Sequence, residues 1–211
     1  MEITILTSIF TFIILIFSIM IHEIAHGSVA HSLGDSTAKD DDRLTLNPIK
    51  HIDPMGTIIL PLFLIILKSQ IIIGWAKPVP INFNNITDKR WGALKIALAG
   101  PLANFILAVI FALLIRFVPM LSPSLYYIFE VVIIYNLILA IFNLIPIPPL
   151  DGSHILFDFL PQGETLSKVK SFLTTYGFFI LIFFVFIFPG IDWIFNLAEA
   201  IYYFLAGQPF V

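Results

Sequence analysis

The sequence predicts an all-α polytopic membrane protein with about four full transmembrane helices, a re-entrant element and a small membrane-associated β-strand segment. Three observations carry this. Of the 211 residues 59% are hydrophobic and only 12% are charged, roughly half the ~25% charge of an ordinary soluble domain. Mean hydropathy is +0.99. Apolar runs long enough to cross a bilayer recur at 1–33, 91–118, 125–145 and 168–189. The length fits a single membrane domain over 1–211. A net charge of −3 without a basic block leaves no footprint for nucleic acid. The chain has no cysteine, which excludes disulfides and thiolate ligands. Any metal must be held by imidazole, carboxylate and water.

The first run, from Ile3 to Leu33, reads as a long helix that Gly34-Asp35 stops. Met1-Glu2-Ile3-Thr4 lacks a basic n-region, and no small-residue cleavage pattern follows, so this helix is expected to be retained. Asp35 to Asp53 is polar. Pro54-Met55-Gly56 then opens an apolar stretch, Thr57 to Leu67, too short to cross. Within 54–83 this stretch is expected to re-enter the membrane from one side. Non-helical backbone survives at that depth only where protein or water covers it. Ile71 to Phe83 is rich in β-branched residues around Gly74, Pro78 and Pro80, and reads as a strand with prolines on its edge.

The second crossing contains Gly100-Pro101 and Asn104, and the proline favours a kink. A short turn, Pro119 to Pro123, leads to the third crossing. Pro146, Pro148 and Pro149 forbid its continuation. Ser153 to Leu160 could form a short helix with Asp151 near its start. The last crossing is rich in Phe, read as lipid-facing bulk. Residues 191–205 form a shorter terminal helix suited to the interface or to packing on the bundle. Lys39, Arg43, Lys50, Lys68, Lys77, Lys89, Arg90, Lys95, Lys168 and Lys170 fall on one side, and Arg116 on the other. By the positive-inside rule the N-terminus is outside and the chain is a multi-pass protein of the cell (inner/cytoplasmic) membrane.

Inside the first apolar run stands His22-Glu23-Ile24-Ala25-His26. Positions four apart share a helix face, so His22 and His26 can hold one metal ion between them. Glu23 is close enough to reach a metal-bound water. Ionisable groups within an apolar helix are costly and mark a site. His22 lies about 28 Å along the helix from Ile3, which places the metal towards the cytoplasmic end. A catalytic zinc usually has three protein ligands and a water. Candidates for the third are His31, His51, Asp53, Asp151, His154 and Asp158. His31 sits about half a turn round from His22 and faces away. His51 and Asp53 lie in a polar loop. Asp151 follows the third crossing at a matching depth, although Asp-Gly is also an ordinary turn. Spacing alone leaves the choice open.

His22 to Gly27, Asn47 to Gly56, Ala76 to Asn82, Gly100-Pro101-Leu102-Ala103-Asn104 and Asn143 to Gly152, in this order, resemble the site-2 protease family of intramembrane zinc metalloproteases. The resemblance runs from about Ser18 to Leu156. It implies a single zinc ion with Asp151 as its third ligand, Glu23 as general base, and Asn143 orienting the peptide carbonyl or its oxyanion. It implies an endopeptidase whose partners are transmembrane segments of membrane-anchored proteins within the lipid bilayer. The five-residue turn between the second and third crossings leaves no room for the PDZ domain of larger members. The strand at 71–83 could pair with an unwound substrate or seal the site. Two other functions fit parts of this pattern. Buried His and Asp also mark ion pathways, as in a divalent metal-ion transporter, but transport usually goes with two related halves and no repeat is seen. A catalytically silent membrane scaffold would have no need of Glu23 beside a metal.

Overall fold

The computed structural model describes residues 2–67, 74–118, 120–159, 163–186 and 190–210. For 2–9, 64–65, 165, 186 and 190–191 it describes the backbone alone. The chain divides into two compact units, Met1–Thr87 and Asp88–Val211. Among the described residues every regular element is helical. Among the described residues, four helical stretches are long and apolar enough to cross a membrane: Phe10–Ser32, Gly92–Phe117, Pro123–Asn143 and Leu166–Val185.

In the first unit α1 spans Glu2–Ser32. It ends as the sequence predicts, on Gly34 with φ 109°. The amide of Gly34 donates to the His31 carbonyl at 3.1 Å, and that of Asp35 to the Ala30 carbonyl at 3.0 Å. This pair of bonds satisfies the last carbonyls of the helix and turns the chain sharply. The polar loop that follows holds a one-turn helix, α2 (Thr37–Asp40), and a 3₁₀ turn, Pro48–His51. A π-helical turn, Pro54–Ile59, leads into α3 (Leu60–Ile66). Asp53 caps that turn by accepting from the Gly56 amide at 2.7 Å.

Two expectations for 54–83 are corrected. Residues 71–73 of the expected strand lie outside the described residues, and 74–82 form no strand. The backbone there has no regular structure, and its donors are already committed. The Lys77 amide donates to the His51 carbonyl at 2.9 Å, and the Val79 amide donates to Glu23 Oε2 at 2.8 Å. Pro78 and Pro80 have no N–H to offer. The re-entrant reading is likewise not supported. What is described is a short apolar helical stretch that cannot cross, and 68–73, which would carry the return, lie outside the described residues.

The second unit contains α4 (Gly92–Phe117), α5 (Pro123–Asn143), α6 (Asp151–Phe159), α7 (Glu164–Phe186) and α8 (Gly190–Ala206). Ser122 caps α5 by accepting from the Leu125 amide, with Pro123 in the first turn. α4 buries Ala97, Gly100, Pro101, Asn104, Ala108 and Ala112. This stripe of mostly small residues lets α5 approach closely, the usual device between helices in lipid. Asn104 donates to Asn136 across that interface at 2.7 Å, and Asn136 donates to the Val132 carbonyl at 2.8 Å. α8 buries Ala198, Tyr202 and Ala206 against the α4–α5 core, and Ile194, one turn earlier, in a second cluster with Ile145, Leu150 and Leu181. Tyr202 donates to Glu130 at 2.9 Å, which satisfies an acid buried in mid-helix. Phe172, Phe178, Phe179 and Phe183 of α7 are exposed, as lipid-facing residues would be.

Asp35, which the sequence offers only as part of a helix stop, holds the first unit together. It is fully buried. It accepts from the Thr37 hydroxyl, the Thr37 and Asn82 amides and the Asn85 side chain. Burial pushes its carboxyl up from the ordinary 3.8, but these bonds outweigh burial and hold it lower. Asp35→Ala leaves buried donors unmet and should cost on the order of 1–3 kcal/mol, read as a lower midpoint in thermal unfolding of the detergent-solubilised protein. Because the folded value lies below the unfolded one, the stabilisation is complete above the unfolded pKa of about 4 and fades as pH falls through the folded value. The gap between wild type and variant should therefore be constant near neutrality and shrink only in acid.

Candidate metal centre

α1 carries His22 and His26 one helical turn apart, and both are buried. Their rings meet edge to face with centroids 4.6 Å apart. The two Nε2 atoms lie 3.0 Å from each other. Two nitrogens bound tetrahedrally to one zinc at ~2.0–2.1 Å would stand roughly 3.3 Å apart. The pair is therefore nearly set to chelate, and imidazole nitrogens suit a zinc-type cation.

Glu23, on the same turn, is half-buried, and its carboxylate is fixed from outside the helix. Oε2 accepts from the Val79 amide at 2.8 Å. That segment can lie so close because residue 27 is glycine. A Cβ there would meet Val79 Cγ1 at 2.8 Å and Leu44 Cδ2 at 2.7 Å. The motif is thus longer than its histidines and glutamate. Gly27 admits the chain that restrains Glu23.

The other candidates of this unit are accounted for elsewhere. His51 is buried, with Nε2 2.9 Å from the Thr45 carbonyl. Asp53 is a cap. His31 is exposed in the last turn of α1.

In the second unit Asn143 is the last residue of α5 and Asp151 the first of α6. Both are half-buried. Asn143 Nδ2 donates to the Leu139 carbonyl at 2.9 Å. An amide nitrogen has two hydrogens, so one donor remains for another acceptor. The Asp-Gly pair proves to be more than a turn. A Cβ on Gly152 would fall 2.2 Å from the Leu144 carbonyl oxygen. Only glycine lets the start of α6 fold back on the end of α5, and this sets where Asp151 stands relative to Asn143. His154 and Asp158 are exposed on α6.

The comparisons with known proteins fit this arrangement. "Putative zinc metalloprotease YwhC" of Bacillus subtilis (strain 168) is 40% identical over 178 residues, which cover 81% of this chain and 77% of that protein. The family model of peptidase family M50 matches residues 119–184, a range that includes Asn143 and Asp151. The chain belongs to peptidase family M50. A second relative is "Putative zinc metalloprotease Rip2" of Mycolicibacterium smegmatis (strain ATCC 700084 / mc(2)155), 31% identical over 136 residues. There the match covers 64% of this M50 member and 51% of the relative. A third, "Putative zinc metalloprotease MJ0611" of Methanocaldococcus jannaschii, is 51% identical over 63 residues, 29% of this chain and 32% of that protein. No solved structure matches.

Sequence reasoning missed the Val79 amide as a partner of Glu23. A backbone donor 56 residues away leaves no trace in composition or spacing. If the paired imidazoles hold the metal, His26→Ala should reduce bound zinc from about one ion per chain to near zero. Metal analysis after gel filtration reads this directly.

Proposed function

We propose that this M50 member is an intramembrane zinc endopeptidase that cuts transmembrane segments of membrane-anchored proteins. The observation that carries the reading is the His22–His26 pair with Glu23 restrained on the same helical turn. Its place in an apolar helix long enough to span a bilayer supports cleavage at membrane depth.

In this reading His22 and His26 would hold the zinc, and Asp151, at the start of α6, would complete the ligand set. The inclusion of Asp151 in the family match and the close backbone packing at Gly152 support that assignment. Bound zinc supplies Lewis-acid polarisation of the scissile carbonyl and brings the pKa of a water to about 7. A carboxylate oxygen of Glu23 takes the proton of the attacking water and returns it to the leaving amine. The second hydrogen of Asn143 Nδ2 is directed to the developing oxyanion, a contact typically worth about 3–4 kcal/mol. The apolar surroundings exclude bulk water, and buried donors and acceptors act more strongly there.

The distribution of lysine and arginine supports an outside N-terminus, with the site on the cytoplasmic side of the membrane. A helical substrate hides its peptide bonds, so it must unwind before attack. The carbonyls of Lys77 and Pro78 and the amides of Lys77 and Val79 are already bonded within this chain. Substrate pairing along that stretch is therefore not part of the proposal.

Glu23→Gln keeps the shape and removes the base. It should retain zinc while cleavage of a transmembrane peptide in detergent falls by about 10²–10⁴-fold. Cleavage at the wild-type rate would remove Glu23 from this role. Asp151→Ala should lose both metal and activity, and full zinc occupancy in that variant would reject Asp151 as a ligand.

A further inference from the structure

We infer that Arg43 is a positioning residue that holds Glu23 in place through a single rigid peptide unit. The inference rests on the reading of Glu23 as the general base.

Arg43 is buried, only 6% exposed, and a charge is costly there unless it is hydrogen-bonded. Its hydrogen-bond partners among the described residues are main-chain oxygens. Nη2 donates to the Lys77 carbonyl at 2.7 Å and to the Pro78 carbonyl at 3.3 Å. The Pro78 carbonyl and the Val79 amide belong to one planar peptide unit and point in opposite directions. Arg43 bonds the Lys77 carbonyl just before that plane and, at the longer distance, the Pro78 oxygen at one end of it; the other end donates to Glu23 Oε2 at 2.8 Å. A guanidinium on the carbonyl also polarises the amide, which strengthens its bond to the carboxylate.

The rest of the segment agrees with this role. Pro78 and Pro80 fix φ on either side of Val79. The Val79 side chain is buried and approaches Gly27. The Lys77 amide is tied to the His51 carbonyl at 2.9 Å. Arg43 itself is aimed by the turn before it. After α2 the Asp42 amide donates to the Lys39 carbonyl at 3.0 Å and the Arg43 amide to the Ala38 carbonyl at 2.8 Å. Asp42 takes a positive φ of 54°, a conformation that aspartate tolerates better than most residues. The helix therefore ends in a tight reversal that sends the arginine inward.

With Oε2 anchored, the other oxygen of Glu23 is left in one orientation for the proton. The general base is set by backbone that follows it by 56 residues, and Arg43 keeps that backbone in register. Lysine in its place keeps a charged donor but loses the planar guanidinium that aims it.

The test uses the full-length, zinc-loaded protein with a transmembrane peptide substrate. Arg43→Met keeps the aliphatic stem and removes the donors. It should leave zinc content and KM unchanged and lower kcat by about tenfold to a hundredfold, the scale of a small misplacement of a reacting group. Arg43→Lys should recover part of the loss. Hydrogen exchange at the Val79 amide should speed up in Arg43→Met. Wild-type kcat or unchanged exchange at Val79 overturns the inference. Glu23→Gln is assayed beside it. If that variant still cleaves, the base assignment has failed. If it is inactive while Arg43→Met turns over normally, only the positioning role has failed. Should Arg43→Met lose zinc or not fold, Val79 replaced by its α-hydroxy acid decides, because it deletes the N–H and little else. The same fall in kcat at constant KM supports the inference, and normal kcat overturns it.

Discussion

The structure depends on keeping two imidazoles and a carboxylate on one turn of a helix that is otherwise apolar. Such groups are unfavourable in lipid unless each is satisfied. Here the imidazole nitrogens face each other at 3.0 Å and the carboxylate meets a backbone amide. Much of the first unit can be understood as the covering that makes this tolerable. The sharp reversal after α1 returns the chain along the helix, and Gly27 lets it come close enough to bond Glu23.

The same economy governs the loop from 35 to 87. Its regular elements are short helical turns, and two of its buried charged groups are bonded over long sequence distances. Asp35 gathers the amides and side chains around it, and Arg43 holds two consecutive carbonyls. Polar groups with these partners can lie under cover without a sheet. The second unit solves a related problem with helices alone. Small residues bring α4 and α5 together, and the Asn104–Asn136 bond and the Tyr202–Glu130 bond satisfy the polar groups between them. Gly152 then returns the chain so tightly that Asp151 starts its helix beside the end of α5.

The crossings were legible because length and apolar composition decide them, and their ends because Gly34 and the 146–149 prolines act locally. The histidine pair was legible because a helix repeats nearly every four residues. The segment 71–83 departs from the expected strand for an equally physical reason. β-branched residues beside prolines do favour an extended backbone, yet 74–82 forms no regular element. Whether extended backbone becomes a strand depends on where its donors go, and those of Lys77 and Val79 go to His51 and Glu23. In the sequence Asp35 and Arg43 read only as a helix stop and a loop cation. Their importance comes from partners 34 to 50 residues away, which no local pattern encodes. His51 and Asp53 drew attention as possible ligands, and each proves to be bonded within the loop.

The central claim is that one divalent cation is held by both imidazoles of α1 within the membrane protein itself. X-ray absorption at the zinc edge of the purified protein tests it most directly, because the outer-shell scattering counts coordinated imidazoles. The account predicts two imidazoles with oxygen filling the remaining positions. A spectrum with one imidazole or none would contradict it.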